Sequence, residues 1–246
     1  ILATYVVAVF ALSFGIPALM LIRWSVAAVS QSALDARFFG FIWNSGFLAF
    51  LAASSAVLIG LPLAYLASRR PTRLNLACLQ AAYAGYALPG PVAALAVLML
   101  FTSLFPFLYG SVLVLVVAYV LHFLPAGLQS LEPALQQVTP NVEEVARTLG
   151  LTTRQTLRRV TLPLIRNGFI AAWVLMFLQT MKELPATLLL RPVGFDTLAI
   201  RVWLEASEEY YQLAAPSALL IVLLSLPALM MLVSRIGGRP SMELQP

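Results

Sequence analysis

The side chains able to do chemistry fall into small groups. Lys182 and Glu183 stand side by side after an apolar run and directly before Leu184-Pro185. Charges at membrane depth are costly and mark function by default. The pair therefore reads as part of an outer gate, with Pro185 and Arg191 beside it. The plainer reading puts both charges at the interface of a tilted helix. Glu208, Glu209, Tyr210 and Tyr211 cluster the oxygen atoms that hard cations prefer, but an acidic helix end followed by an interfacial aromatic belt uses the same residues. His122 is the only histidine, and one histidine makes no metal site; it reads as a hydrogen-bonded helix contact in the inner third of its span. Cys78, the only cysteine, excludes an internal disulfide. No nucleophile, base and metal set converges, so no catalytic residue and no metal ligand is expected.

A further group is a charged island, Val142 to Pro163, set between long apolar stretches. Asn141-x-x-Glu144 has the form of a capping box, and Thr139-Pro140 offers a start one turn earlier. Glu143 and Glu144 then fall in the first turn, where the helix dipole favours acid. Gly150 suits the left-handed position that ends a helix. Thr152-x-x-Gln155 caps a second short helix, and Leu162-Pro163 opens the next span. Val142, Val145, Ala146 and Leu149 form an apolar stripe. Helices this short are unstable alone in water and need something to pack on. The island is thus either an amphipathic segment on lipid headgroups or a handle for another protein.

The elements that position these groups are membrane helices. Of 246 residues, 61% are hydrophobic and only 10% charged, with mean hydropathy +0.91; soluble domains carry about 25% charged residues. Lipid must be the solvent. The net charge of +5 comes from 14 arginines and Lys182. In so apolar a chain, this orients loops rather than binding nucleic acid. A span needs about 20 apolar residues. The first runs Ile1 to Ile22, an ordinary span rather than a secretory signal. The second covers about 44–68, two more fit within 74–131 around turn signals at Phe105-Pro106 and Tyr109-Gly110, the fifth starts near Leu164, and the sixth covers 210–234. The expected fold is all-α, a polytopic bundle of about six spans. Among the prolines within spans (Pro17, Pro62, Pro89, Pro91, Pro125, Pro227), Pro89-Gly90-Pro91 is the set expected to break its helix. Asp196 is expected to cap a short amphipathic helix to about Glu209, with Trp203 in the interfacial belt.

Charge then sets the orientation. With the island inside, that side holds Arg69, Arg70, Arg73, Arg147, Arg154, Arg158, Arg159, Arg166, Arg235 and Arg239. The other holds Arg23, Arg37, Lys182, Arg191 and Arg201, and is richer in acid (Asp35, Glu183, Asp196, Glu205, Glu208, Glu209). The excess of arginine puts the island and both termini in the cytoplasm. None of the thirteen glycines precedes a lysine, so the chain carries no phosphate-cradling P-loop.

The spacing Glu144-x-Ala146-x3-Gly150-x9-Val160-x-Leu162-Pro163 resembles the EAA loop of binding-protein-dependent ABC importer permeases. Val145 and Val160 stand where the family usually has Ala and Ile. The resemblance implies a type I permease in the bacterial inner membrane, with a coupling loop at 139–163 and an outer loop at 183–209 within one transmembrane domain over 1–246. It implies coupling through Glu143, Glu144, Ala146, Arg147, Leu149, Gly150, Leu162 and Pro163 to a cytoplasmic ATP-binding subunit, which would hold the ATP and magnesium; no cofactor is expected on this chain. The further partners implied are a second permease half or copy, a periplasmic solute-binding protein and membrane lipid. Lys182 to Pro192 (KELPATLLLRP), followed by Gly194-Phe195-Asp196-Thr197-Leu198-Ala199, is similar to the ferric-iron branch. Ferric iron is the cargo this implies, and the start at Ile1 fits the C-terminal half of a fused permease. Thiamine, sulfate or phosphonate import remain alternatives. An ion-gradient-driven secondary transporter would want acids buried mid-span, and a membrane-embedded enzyme a convergent site; five of the six spans are read as free of Asp and Glu.

Overall fold

A computed structural model of the chain describes residues 2–30 and 37–236. Asp35 and Arg239 lie outside the described residues. Every regular element among the described residues is helical. Helices α1 (Leu2–Phe10) and α2 (Ile16–Ser30), joined by a π turn at Ala11–Gly15, make one apolar rod. This rod continues past Ile22 with Arg23 inside it, because no helix breaker follows and a long arginine stem can carry its charge towards the interface. Helix α3 (Arg37–Arg69) follows. Helices α4 (Arg73–Tyr83) and α5 (Gly90–Leu104) form a pair bent by 116°. Helix α6 (Val112–Gln137) leads into α7 (Pro140–Thr148), α8 (Thr153–Thr156) and α9 (Leu162–Leu164). After a 73° bend comes α10 (Arg166–Met181), then α11 (Pro185–Leu190), α12 (Leu198–Ser207) and α13 (Tyr211–Ile236). Four helices can cross a membrane unaided, or six if each bent pair counts as one crossing, in line with the six spans expected.

The break in the third span falls where the proline pair stands. A proline disfavours helical geometry in the residue before it, and Leu88 is extended at φ −97°, ψ 131°. Pro62, Pro125, Pro133, Pro216 and Pro227, by contrast, lie inside unbroken helices. In α6, Pro125 deprives the Leu121 carbonyl of its helical donor. Gly85 packs its backbone onto that carbonyl: a Cβ there would stand 2.2 Å from Leu121 O. The missing side chain lets the 3₁₀ turn at Ala84–Ala87 press against α6.

Helices α3, α6 and α10 pack together as the centre of the bundle. Ala52, Ala53 and Ala56 on α3, Leu115, Leu128 and Leu131 on α6, and Ala172 and Met176 on α10 are buried there. Small residues let helices approach closely where lipid gives no hydrophobic drive to associate. The extreme case is Gly168, where a Cβ would stand 2.2 Å from Ala134 Cβ. Trp173 donates from Nε1 to Ser54 Oγ at 3.1 Å, satisfying a polar tip inside the bundle. Outside this centre, α13 packs on α2, with Trp24 stacked on Tyr211.

Two further expectations differ from the structure at this level. Glu132 lies within α6, because the helix runs on through Pro133 to Gln137. The fourth span therefore does carry an acid near its end, and it accepts a hydrogen bond from Tyr83 Oη at 2.6 Å. Asp196 does not cap α12. Thr197 is the N-cap and accepts from Ile200 N, while Asp196 pairs with Arg191. An adjacent arginine outcompetes a backbone N–H for a carboxylate. Asn44 Nδ2 and Ser45 Oγ on α3 bond Asp196 O and Leu198 N, tying this segment to the bundle. Trp203 is partly exposed on α12.

Gly168→Ala should destabilise the protein by about 1–3 kcal/mol through overpacking against α6. Gly46→Ala, whose Cβ would meet nothing within 4 Å, should not lower the thermal unfolding midpoint in detergent, since alanine is the better helix former.

Candidate functional site

The island folds into a hook held by one carboxylate. Thr139 is the N-cap of α7 without a side-chain bond, and Pro140 takes the first helical position. The Asn141–Glu144 capping box does not form, since Pro140 supplies the preset φ and lacks one of the N–H groups a cap would satisfy. Gly150 has φ +91°. Leu151 N donates to Ala146 O and Gly150 N to Arg147 O, the paired bonds of a Schellman ending. The Thr152–Gln155 capping box is present in both directions and starts α8.

Glu143 is buried. It accepts from Arg69 Nε at 3.0 Å, from Tyr65 Oη at 3.0 Å and from Thr161 Oγ1 at 2.9 Å. Arg69 also donates from Nη2 to the carbonyls of Leu135 and Val138 at the end of α6. One acid and one base thus join the end of α3, the end of α6, α7 and the π turn at Leu157–Thr161. Ala146 is buried on the same face. Glu143 and Ala146, expected among the coupling residues, therefore point into the protein and anchor the hook.

The opposite face of α7 carries Val142, Val145 and Leu149, exposed by 39%, 58% and 80%. Glu144 and Arg147 are exposed beside them. The apolar stripe is split: Ala146 is buried, and three larger side chains are exposed. Leu162 packs on the core from α9, and Pro163 is exposed. A cleft of about 310 Å³ opens next to the hook between Tyr65, Arg69, Arg70, Glu144, Arg147 and Thr156. Sequence reading missed Tyr65, Arg69 and Thr161 as partners of Glu143. Arg69 at the end of the second span was the available signal.

The gate candidates lie at the far end of α10. This helix has 16 residues, or about 24 Å, against a hydrocarbon core of about 30 Å. Lys182 and Glu183 follow its end at Met181. Thr187 on α11 bonds Tyr119 Oη through a short contact, and donates to Glu183 O at 2.7 Å. Glu183 Oε1 accepts from Ala186 N at 3.1 Å. Pro185 is the first residue of α11, and Lys182 is exposed. Arg191 is engaged by Asp196, which ties it to the entry of α12. His122 lies near the middle of α6 rather than towards its inner end, since the helix begins only at Val112. Its Nδ1 is buried without a hydrogen-bond partner, so the expected interhelical bond is absent from this nitrogen. Cys78 is exposed on α4. Glu209, at φ +64°, lies with Tyr210 and Tyr211 in a cavity of about 390 Å³ against Trp24.

Glu143→Gln leaves the Arg69 guanidinium buried without its counter-charge, which costs about 3–5 kcal/mol for buried pairs. It should lower the unfolding midpoint and open the 139–163 segment to protease. Glu144→Gln should do neither.

Comparison with known proteins agrees with this architecture. The family model for the binding-protein-dependent transport system inner membrane component matches residues 56–236. An Fe(3+)-transport system permease protein of Haemophilus influenzae is 36% identical over 219 residues, covering 88% of this chain and 43% of that protein. The chain thus spans less than half of that relative's length. A Haloferax volcanii protein named "Probable molybdenum ABC transporter permease protein" is 32% identical, covering 80% of this chain and 75% of its own length. Among solved structures, a bacterial alginate ABC transporter shares the fold at TM-score 0.74 and 15% identity, over 95% of this chain and 91% of that one. The methionine ABC transporter matches at TM-score 0.65 and 17% identity, over 82% and 97%. The chain belongs to the binding-protein-dependent transport system inner membrane components, the multi-pass permeases of ABC importers.

Proposed function

We propose that this chain forms part of the membrane pathway of a ferric-iron importer, driven by a separate cytoplasmic ATPase that grips α7. The observation that carries this reading is the division of α7 into two faces. Glu143 and Ala146 fix the helix to three other segments, while Val142, Val145 and Leu149 stand exposed on its outer face. A short helix with bare apolar side chains gains from docking in a groove. Because its other face is locked to the bundle, a displacement of the groove is transmitted to α3 and α6. Glu144, Arg147, Leu149 and Gly150 take the coupling role at the surface, and Leu162-Pro163 passes it into α10.

In this reading the hook faces the cytoplasm, as its arginines favour, and the described chain ends lie on that side. A periplasmic binding protein delivers cargo to the opposite face, near α12. A second permease half or copy completes the pathway. Iron is favoured by the 36% identical Fe(3+)-transport relative and by the tract from Lys182 to Pro192. An oxyanion cargo is the second reading, favoured by the relative named for molybdenum, which this chain matches over more of that relative's length.

Val145→Asp and Leu149→Asp should each cut the ATPase recovered with the tagged permease by at least about tenfold, as charge in the centre of a docking face does. Equal recovery would remove α7 as the docking element. Cells lacking the chain should lose radio-iron uptake and keep molybdate uptake; the reverse pattern would give the cargo to the oxyanion reading.

A further inference from the structure

Two chain breaks come together beside α6. One lies at Leu88-Pro89 between α4 and α5, and the other follows Met181 at the end of α10. Gly90, the first residue of α5, faces both polar groups of this region. The position a Cβ would take on Gly90 is 3.6 Å from His122 Nε2 and 3.7 Å from Glu183 Oε1. His122 is ten residues into α6 from Val112, about 15 Å along a helix, half of a hydrocarbon core of about 30 Å.

We infer that Glu183 and His122, facing each other across the side-chain-free Gly90, form a transient station for the cargo cation partway through the membrane. This rests on the ferric-iron reading above. Discontinuous helices at the bilayer midplane are where transporters contact their solutes, and an intramembrane acid needs a function to justify its cost. The carboxylate is held in advance. Ala186 N donates to its Oε1, Thr187 donates to its backbone carbonyl, and Tyr119 fixes Thr187. Carboxylate oxygen suits a hard cation.

The station is weak by construction, which transport requires, since a site on a pathway must release what it binds. No third His, Cys, Asp or Glu joins the pair among the described residues. His122 also lacks the partner on its second nitrogen that strengthens a resident ligand. Lys182, next in sequence to Glu183, limits the net charge the membrane must hold when the station is empty. Gly90 keeps the gap open.

The test is ATP-driven radio-iron uptake in liposomes holding the complete importer, with its ATPase and binding protein. Gly90→Ala fits without a clash and fills the gap. Glu183→Gln keeps the acceptor for Ala186 N, and His122→Gln removes the imidazole. Each should lower uptake by at least about tenfold, since losing even a supporting partner of a ligand costs ten- to a hundredfold, with the unfolding midpoint at the wild-type value. Glu183→Asp should recover part of the loss. Uptake within about twofold of wild type in all three variants would overturn the station alone, as would losses matched by lowered unfolding midpoints, which assign the residues to packing. Wild-type liposomes that move no iron would overturn the cargo reading and the station with it.

Discussion

Glu143 lies where the ends of α3 and α6 meet the hook, and its charge determines how they sit together. A buried carboxylate must be paired and hydrogen-bonded or it becomes a large penalty. Here Arg69, Tyr65 and Thr161 all supply that need, and Arg69 spends its remaining donors on the carbonyls of Leu135 and Val138. None of these groups can leave without stranding another. The hook is thereby made one body with the adjoining ends of the spans, although its own helices are too short to be stable alone. The exposed face of α7 is then a surface on which force can be applied.

A second constraint comes from lipid, which offers the backbone no hydrogen bonds. Protein groups cover backbone that an internal proline or a helix break leaves open. Gly85 lies on the carbonyl that Pro125 leaves without a donor, and Glu183 accepts from the first turn of α11. The two interruptions, after Ala87 and after Met181, both face α6. Polar groups lie at this meeting point and at the hook, and also in the Tyr83–Glu132 and Trp173–Ser54 bonds between spans. The family to which the chain belongs consists of transport components rather than enzymes.

Much of this was legible in the sequence because it depends on local chemistry. Pro89-Gly90-Pro91 broke its span, Gly150 took the left-handed position, and Thr152 with Gln155 closed a capping box. What stayed hidden depends on residues far apart in the chain. Two adjacent acids, Glu143 and Glu144, look alike in a pattern; only the arrival of Arg69, 74 positions away, decides that the first is an anchor. The same holds for Ala146, placed by spacing on an apolar stripe whose larger members face outward. Asp196 reads as the cap of α12, but Arg191 claims the acid and Thr197 takes that place. The end of the first span was misread because Arg23 was taken as a boundary, when a charge alone does not stop a helix.

The claim that α7 moves as one body with the spans is open to direct measurement. Spin labels at Leu66→Cys on α3 and Thr148→Cys on α7, with Cys78 replaced by Ser, report the distance between hook and bundle in the assembled importer. One narrow distance distribution that stays fixed through the nucleotide cycle is expected, while the distance from Thr148 to the facing permease half changes. A Leu66–Thr148 distance that broadens or shifts when ATP is added would contradict it.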